Sequence, residues 1–131
     1  MAPHQERWPE LPYAAWKDTR DTLHLWTQVV GKVRLALTPW LNHSWHVVLY
    51  VTARGLTTSP IPWRSGSIQI DFDFIDHVLW VRTSGGHFRQ IMLKPTSVAE
   101  FHEDLMIALR ELGVDVRITT MPCEIADCIP F

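Results

Sequence analysis

The sequence predicts an α+β fold in which a mainly antiparallel sheet of about five strands carries two helices on one of its faces. Apolar residues recur with helical period in one segment near each end of the chain. Between these segments, apolar and polar residues alternate with period two, and a short glycine turn joins two of the runs. Hairpin-linked strands flanked by helices favour this class. The predicted order is α-β-β-β-β-α-β, in a single domain covering residues 1–131.

The first helix is predicted to follow Pro12 and to run to about Ala36, ending near Thr38-Pro39. At 100° per residue its apolar side chains fall on one broad face. They are Trp16, Leu23, Trp26, Val29, Val30, Val33 and Leu37. Asp18, with Asp21 three residues on, offers an alternative N-cap, which would leave Tyr13 to Lys17 as a turn.

Four strands are predicted after this helix. Trp45 to Thr52 is apolar on both alternating faces, which indicates a central position in the sheet. The next stretch, ARGLTTSPIPWRSG, has two prolines and two glycines and is predicted to be a long loop. The clearest strand signal follows, with Asp71 and Asp73 alternating between apolar residues from Ile68 to Phe74. Val78 to Thr83 and Phe88 to Leu93 then form a hairpin around Ser84-Gly85-Gly86.

The second helix is predicted from a capping box. Ser97 and Glu100 have its spacing, and apolar residues follow at helical intervals up to Gly113, where the helix should end. Beyond it, Val114, Val116 and Ile118 alternate with polar residues, which predicts a last strand.

Composition and charge narrow the functional classes. The net charge is −2, and the twelve Lys and Arg residues are scattered, whereas nucleic-acid binders usually concentrate them. No window approaches the roughly 20 apolar residues that span a bilayer. We therefore expect neither a nucleic-acid nor a membrane partner. Cys123 and Cys128 predict free thiols in a reducing cytoplasm, with a zinc site at their C-x4-C spacing as the alternative.

Several long strings carry a resemblance to a known family. They are WPELPYAAWKDTRDTLHLWTQVVGKVRLAL, NHSWHVVLYVTARGLTTSPIP, IDFDFIDH and the closing MPCEIADCIPF. Together they resemble an uncharacterised family of bacterial proteins that is known only as a domain of unknown function. The resemblance implies that the chain is the N-terminal portion of a longer protein. It implies no reaction, ligand or cofactor.

One group of residues has the chemistry of a metal site. His43 and His46 stand at H-x-x-H spacing, and Asp71 and Asp73 project from one face of a strand. Imidazole and carboxylate ligands suit zinc, manganese or iron, so these four residues could form the centre of a metal-dependent hydrolase. The competing interpretation is that the two aspartates form the solvated face of their strand. In addition, H-x-x-H on a straight strand points its imidazoles to opposite faces.

Aromatic residues suggest a binding function instead. The chain has seven tryptophans, and several lie in predicted loops or at a loop-strand junction. The candidate ligand-binding residues are Trp40, His43, Trp45, Tyr50, Arg54 and Trp63. They could line a pocket for a planar or sugar-like small molecule, or contact a protein partner, a second copy or the rest of a longer chain. The sequence thus predicts a non-catalytic small-molecule or protein-interaction module without a cofactor, with the hydrolase as the alternative.

Overall fold

The computed structural model of the protein describes residues 8–39, 48–118 and 120. Within these residues it contains two helices and one six-stranded antiparallel sheet, so the α+β prediction is confirmed. The elements are α1 (Tyr13–Leu37), β1 (Tyr50–Val51), β2 (Gly55–Thr57), β3 (Ile61–Trp63), β4 (Gly66–Asp73), β5 (Val78–Thr83), β6 (Phe88–Met92) and α2 (Val98–Glu111). The strand order is β1-β2-β4-β5-β6, and β3 pairs with β4 beyond the end of β2.

Both helices pack on the same face of the sheet, as predicted. The core joins Val29, Val30 and Val33 of α1 and Leu105 and Leu109 of α2 to the inward side chains of β4 and β5. Trp26 stacks on Phe101 with ring centroids 5.0 Å apart, and Phe101 lies 6.3 Å from Phe72. These apolar side chains supply the main driving force for folding, since burial of each is worth about 1.5–3 kcal/mol.

The sequence predicted the start of α2 correctly, whereas one of the two starts that it offered for α1 is wrong. Helix α1 begins at Tyr13, directly after Pro12, so the alternative start at Asp18 is wrong. Pro12 suits this position because its carbonyl can accept from Ala15 while its missing N–H removes no helical bond. In α2, Ser97 accepts a hydrogen bond from the Glu100 N–H, as the capping box predicts.

The stretch predicted to be a long loop is a second correction, because it contains β2 and β3. Thr57 lies opposite Asp71 and Ile61 opposite Ile68, so three residues of one strand face two of the other. This is a β-bulge with one extra residue. Thr58 holds it together: its N–H donates to the Ile70 carbonyl, and its hydroxyl accepts from the Ile70 N–H at 3.1 Å. A bulge also accommodates Pro60, which a regular ladder would exclude.

The first and the last of the predicted strands also differ from the structure. The strand predicted from Trp45 to Thr52 is observed only at Tyr50–Val51, and it lies at the end of the strand order rather than in the centre. Residues 45–47 lie outside the described residues. Residues 114–118 form no strand, although Val114 is buried against the core. Their alternation therefore reflects a chain that lies over the core without strand pairing.

The predicted hairpin turn at Ser84-Gly85-Gly86 is confirmed. Gly86 has φ +87° and donates its N–H to the Thr83 carbonyl at 3.1 Å. This left-handed residue closes a three-residue hairpin loop, a position that favours glycine because it has no Cβ.

We expect Thr58→Val to destabilise the protein by about 1–3 kcal/mol, because the buried Ile70 N–H loses its acceptor while the side-chain volume hardly changes. Thr58→Ser is the matched control, since it keeps the hydroxyl and loses only a methyl group. Denaturant unfolding measures both variants. A valine variant as stable as the parent would show that the hydroxyl does not hold the bulge.

Candidate functional site

The face of the sheet opposite the helices carries the polar residues of β4 and β5. Because Ile68, Ile70 and Phe72 point into the core, the intervening Asp71 and Asp73 point to the other side. We call this side the open face. In β5 the same alternation places Trp80 and Arg82 on it. The register sets Asp71 opposite Trp80 and Gln69 opposite Arg82.

A depression of about 520 Å³ lies on the open face. Its volume falls within the range of small-molecule sites, roughly 300–1,000 Å³. The Trp80 ring and several charged or amide side chains line it. These are Trp80 with Arg54, Gln69, Asp71, Asp73, Asp76 and Arg82. We refer to it as the open-face depression.

One end of the depression is organised around Asp73. Arg54 donates from Nε to Asp73 Oδ2 at 2.8 Å, and its Nη2 lies 2.8 Å from Asp76 Oδ2. Asp73 Oδ1 accepts from the backbone N–H groups of Ile75 and Asp76, both at 2.9 Å. The Arg54 hydrogen bond, followed by these backbone bonds, lowers the pKa of Asp73 to about 2. Asp73 is therefore a fixed anion that joins two turns.

Local turn chemistry explains why Arg54 reaches Asp73. Thr52 accepts hydrogen bonds at its hydroxyl from the N–H groups of Arg54 and Gly55, which tightens the turn between β1 and β2. The Arg54 carbonyl in turn accepts from the Phe74 N–H at 2.8 Å. The turn from β1 to β2 is thereby fixed beside the turn that follows β4.

The other end of the depression is organised around Asp71 and Trp80. Gln69 Nε2 donates to both oxygens of Asp71, at 3.1 and 3.0 Å, and Arg82 Nη1 lies 3.3 Å from Asp71 Oδ2. The Arg82 guanidinium also lies over the Trp80 ring, 4.1 Å from its centroid. Phe88 continues the aromatic surface, with its ring centroid 5.6 Å from that of Trp80.

The two arginines remain accessible although each contacts a carboxylate. The side chains of Arg54 and Arg82 are 51% and 47% exposed. Each guanidinium has five N–H donors, so each keeps donors for another molecule. The depression can therefore offer donors from arginine, acceptors from aspartate and an aromatic surface to the same ligand.

The structure brings together only part of the predicted site. Arg54, predicted as a ligand-binding residue, and Asp71 and Asp73, predicted as metal ligands, line the same depression. Tyr50 and Trp63 lie elsewhere: the Tyr50 ring is 5.4 Å from the Arg34 guanidinium, and Trp63 is half-buried against the core. The remaining predicted residues, Trp40, His43, Trp45 and His46, lie outside the described residues.

The described part of the chain contains no group of three or more His, Cys, Asp or Glu residues placed to hold a metal ion. Asp71 and Asp73 instead have arginine partners, which already supply the positive charge that a metal would bring. The metal hypothesis thus depends on His43 and His46 and stays a prediction.

Trp80 and Arg82 were missed as site residues, although the sequence contains a signal for them. In VLWVRT, Trp80 and Arg82 alternate with Leu79 and Val81, as the aspartates alternate with apolar residues in β4. Comparing the two strands would have placed these four polar and aromatic residues on one face. The contact between Arg54 and Asp73 had no such local signal.

Comparison with known proteins gives a family without a function. A family model, described as a family of unknown function (DUF5996), matches residues 8–131. Neither a curated protein nor a solved structure matches the chain significantly. Among the described residues, neither helix is long and apolar enough to cross a membrane.

We expect Asp73→Asn to change how stability depends on pH. The folded-state pKa of Asp73 is lowered from about 3.8 to about 2, so its stabilising effect is complete above about pH 4 and is lost as the pH falls towards 2. The variant should be less stable than the parent above about pH 4, and the difference should shrink below it. Denaturation midpoints across this range measure the effect.

Asp104→Asn is the control for this experiment. It also removes one carboxylate, but from an exposed residue of α2. It should follow the pH dependence of the parent. A gap between parent and Asp73→Asn that stays constant down to about pH 2 would contradict the assignment.

Proposed function

Because the chain belongs to DUF5996, a family of unknown function, we propose its role from geometry: it is a non-catalytic module that binds a small polar molecule in the open-face depression. The observation that carries this proposal is the arrangement of two arginine-aspartate pairs around the partly exposed Trp80 ring, in a depression of ligand size. Such sites combine an apolar surface with a few polar groups that orient the ligand.

The charge balance favours an uncharged ligand. Two arginines face three aspartates, and all five groups interact within two clusters. A strongly charged ligand would meet like charges as well as opposite ones. A molecule with several hydroxyl or amide groups can instead accept from the arginines and donate to the aspartates. Trp80 adds a flat surface, which suits a planar or sugar-like molecule.

The state of Asp73 supports binding rather than proton transfer. General acid-base catalysis works best when the pKa of the catalytic group lies near the working pH. The pKa of Asp73 is shifted the other way, to about 2, by its Arg54 and backbone partners. Asp73 is therefore a poor general acid and a weak base, but a good hydrogen-bond acceptor.

The hydrolase alternative would use His43, His46, Asp71 and Asp73, and metal content decides it. Untagged protein is measured by elemental mass spectrometry together with His43→Ala. Near-stoichiometric metal in the parent and much less in the variant would favour the hydrolase over the binding module. If neither the parent nor His43→Ala contains metal, the hydrolase alternative is excluded.

The cellular setting remains part of the proposal. Cys123 and Cys128 lie outside the described residues. Their predicted state as free thiols supports a cytoplasmic protein, and the scattered arginines support the absence of a nucleic-acid partner. The bacterial origin and the N-terminal position in a longer protein stay predictions.

Ligand-observed NMR with mixtures of mono- and disaccharides and of nucleosides tests the function. We expect saturation transfer from the parent to at least one of these compounds. Arg82→Gln should raise the Kd of that compound about tenfold or more, because a hydrogen bond to a charged group is lost. Arg110→Gln makes the same chemical change on the exposed surface of α2 and should leave the Kd unchanged.

Trp80→Leu provides a second variant, since it removes the aromatic surface and keeps an apolar side chain. It should also weaken binding, while circular dichroism confirms that the variant is folded. Binding that is equal in the parent, Arg82→Gln and Trp80→Leu would place the ligand elsewhere. Absence of binding in both compound classes would contradict the proposal of a planar or sugar-like ligand.

A further inference from the structure

Strand β6 ends the described sheet, and no described strand pairs with its outer edge. It pairs with β5 on one side. Thr83 N donates to the His87 carbonyl and Leu93 N to the His77 carbonyl, so odd-numbered residues of β6 direct their backbone groups towards β5. In an antiparallel ladder this direction alternates. The N–H and C=O groups of Phe88, Gln90 and Met92 consequently point away from the sheet.

Among the described residues, this edge lacks a bulge, a proline and a covering element, the features that usually protect an edge strand. Its pairing with β5 is regular from Phe88 to Met92, without a bulge or proline, and it is five residues long. Phe88 and Met92 are 53% and 57% exposed, so the described part of the chain leaves about half of each residue uncovered on the open face. Its single charged residue, Arg89, is held by Glu111 of α2 at 2.8 Å.

We propose that β6 pairs antiparallel with β6 of a second copy of this chain, about a two-fold axis that passes between the two Gln90 residues. A register that sets outward-pointing residues opposite each other lets the strands exchange backbone hydrogen bonds. Among such registers, the one centred on Gln90 pairs all five residues of the strand. The two six-stranded sheets then become one continuous sheet.

The side chains of β6 are complementary to themselves in this register. Phe88 lies opposite Met92 of the second copy, so the two exposed apolar side chains of the strand cover each other on both sides of the axis. The two Gln90 amides face each other and can exchange hydrogen bonds. Arg89 lies opposite Ile91, so no like charges are placed directly opposite.

The backbone groups at this edge can accept the new strand. The Phe88 carbonyl accepts from its neighbour Arg89 Nη1, and the Met92 carbonyl from Lys94 N. A carbonyl has two lone pairs, so these contacts leave room for a second donor. The interface lies beside the open-face depression, and it does not depend on the proposed ligand.

The first test is the molar mass of the full chain in solution, measured by sedimentation from about 1 μM to about 1 mM. We expect a dimer whose Kd rises about tenfold or more in Phe88→Lys/Met92→Lys, because lysines then face each other across the axis. Val51→Lys/Ile75→Lys is the matched control. It replaces two other exposed apolar residues, in β1 and in the turn after β4, and should dimerise like the parent.

A charge exchange tests the register. In Phe88→Lys/Met92→Glu, each lysine faces a glutamate of the second copy only when the axis passes between the Gln90 residues. This variant should dimerise more tightly than the double-lysine variant. Equal Kd values for these two variants would overturn the register.

Amide hydrogen exchange gives a readout that a general loss of stability would not imitate. The amides of Arg89 and Ile91 bond within the chain and should be protected at every concentration, whereas those of Phe88, Gln90 and Met92 should gain protection as the dimer forms. A monomer up to about 1 mM, or a dimer unaffected by the double-lysine variant, overturns the proposal.

Discussion

The alternation of side chains along β4 is the constraint on which the rest of the structure depends. This strand is hydrogen-bonded on both edges, to β2 and β3 on one side and to β5 on the other. Its even-numbered residues from Ile68 to Phe72 meet both helices in the core, and its odd-numbered residues form the open face. A shift of β4 by one residue would expose the core and bury Asp71 and Asp73 without their arginines. Packing and the candidate site therefore depend on one register.

The parts of the fold that were predicted correctly are those whose signal is local. The hairpin from β5 to β6 needs a left-handed residue at Gly86, and α2 needs an acceptor at Ser97; both are readable in the sequence. Residues 114–118 show where local sequence signals are not sufficient. Burial of alternate residues over a core gives the same pattern as a paired strand, and only the position of a hydrogen-bonding partner separates the two.

The candidate site was predictable only in part for a related reason. The two aspartates of β4 stood out because polar residues alternated with apolar ones. Their partners are distant in the chain: Arg54 lies 19 residues before Asp73, and Arg82 lies 11 residues after Asp71. Both contacts arise from strand pairing and turn geometry, so residue type and spacing alone suggested a metal where the structure has guanidinium groups.

The extra residue between β2 and β3 has a consequence for insertions and deletions. Before it, the even-numbered Leu56 and Thr58 face the core, and after it the odd-numbered Ile61 does so. With one residue more in this segment and the same bulge, Ile61 would lie opposite Ser67 instead of Ile68 and would turn towards solvent. Loss of the extra residue would instead leave a regular ladder with Ile61 still opposite Ile68. The fold consequently constrains insertions between Thr57 and Ile61 more strictly than the loss of one residue.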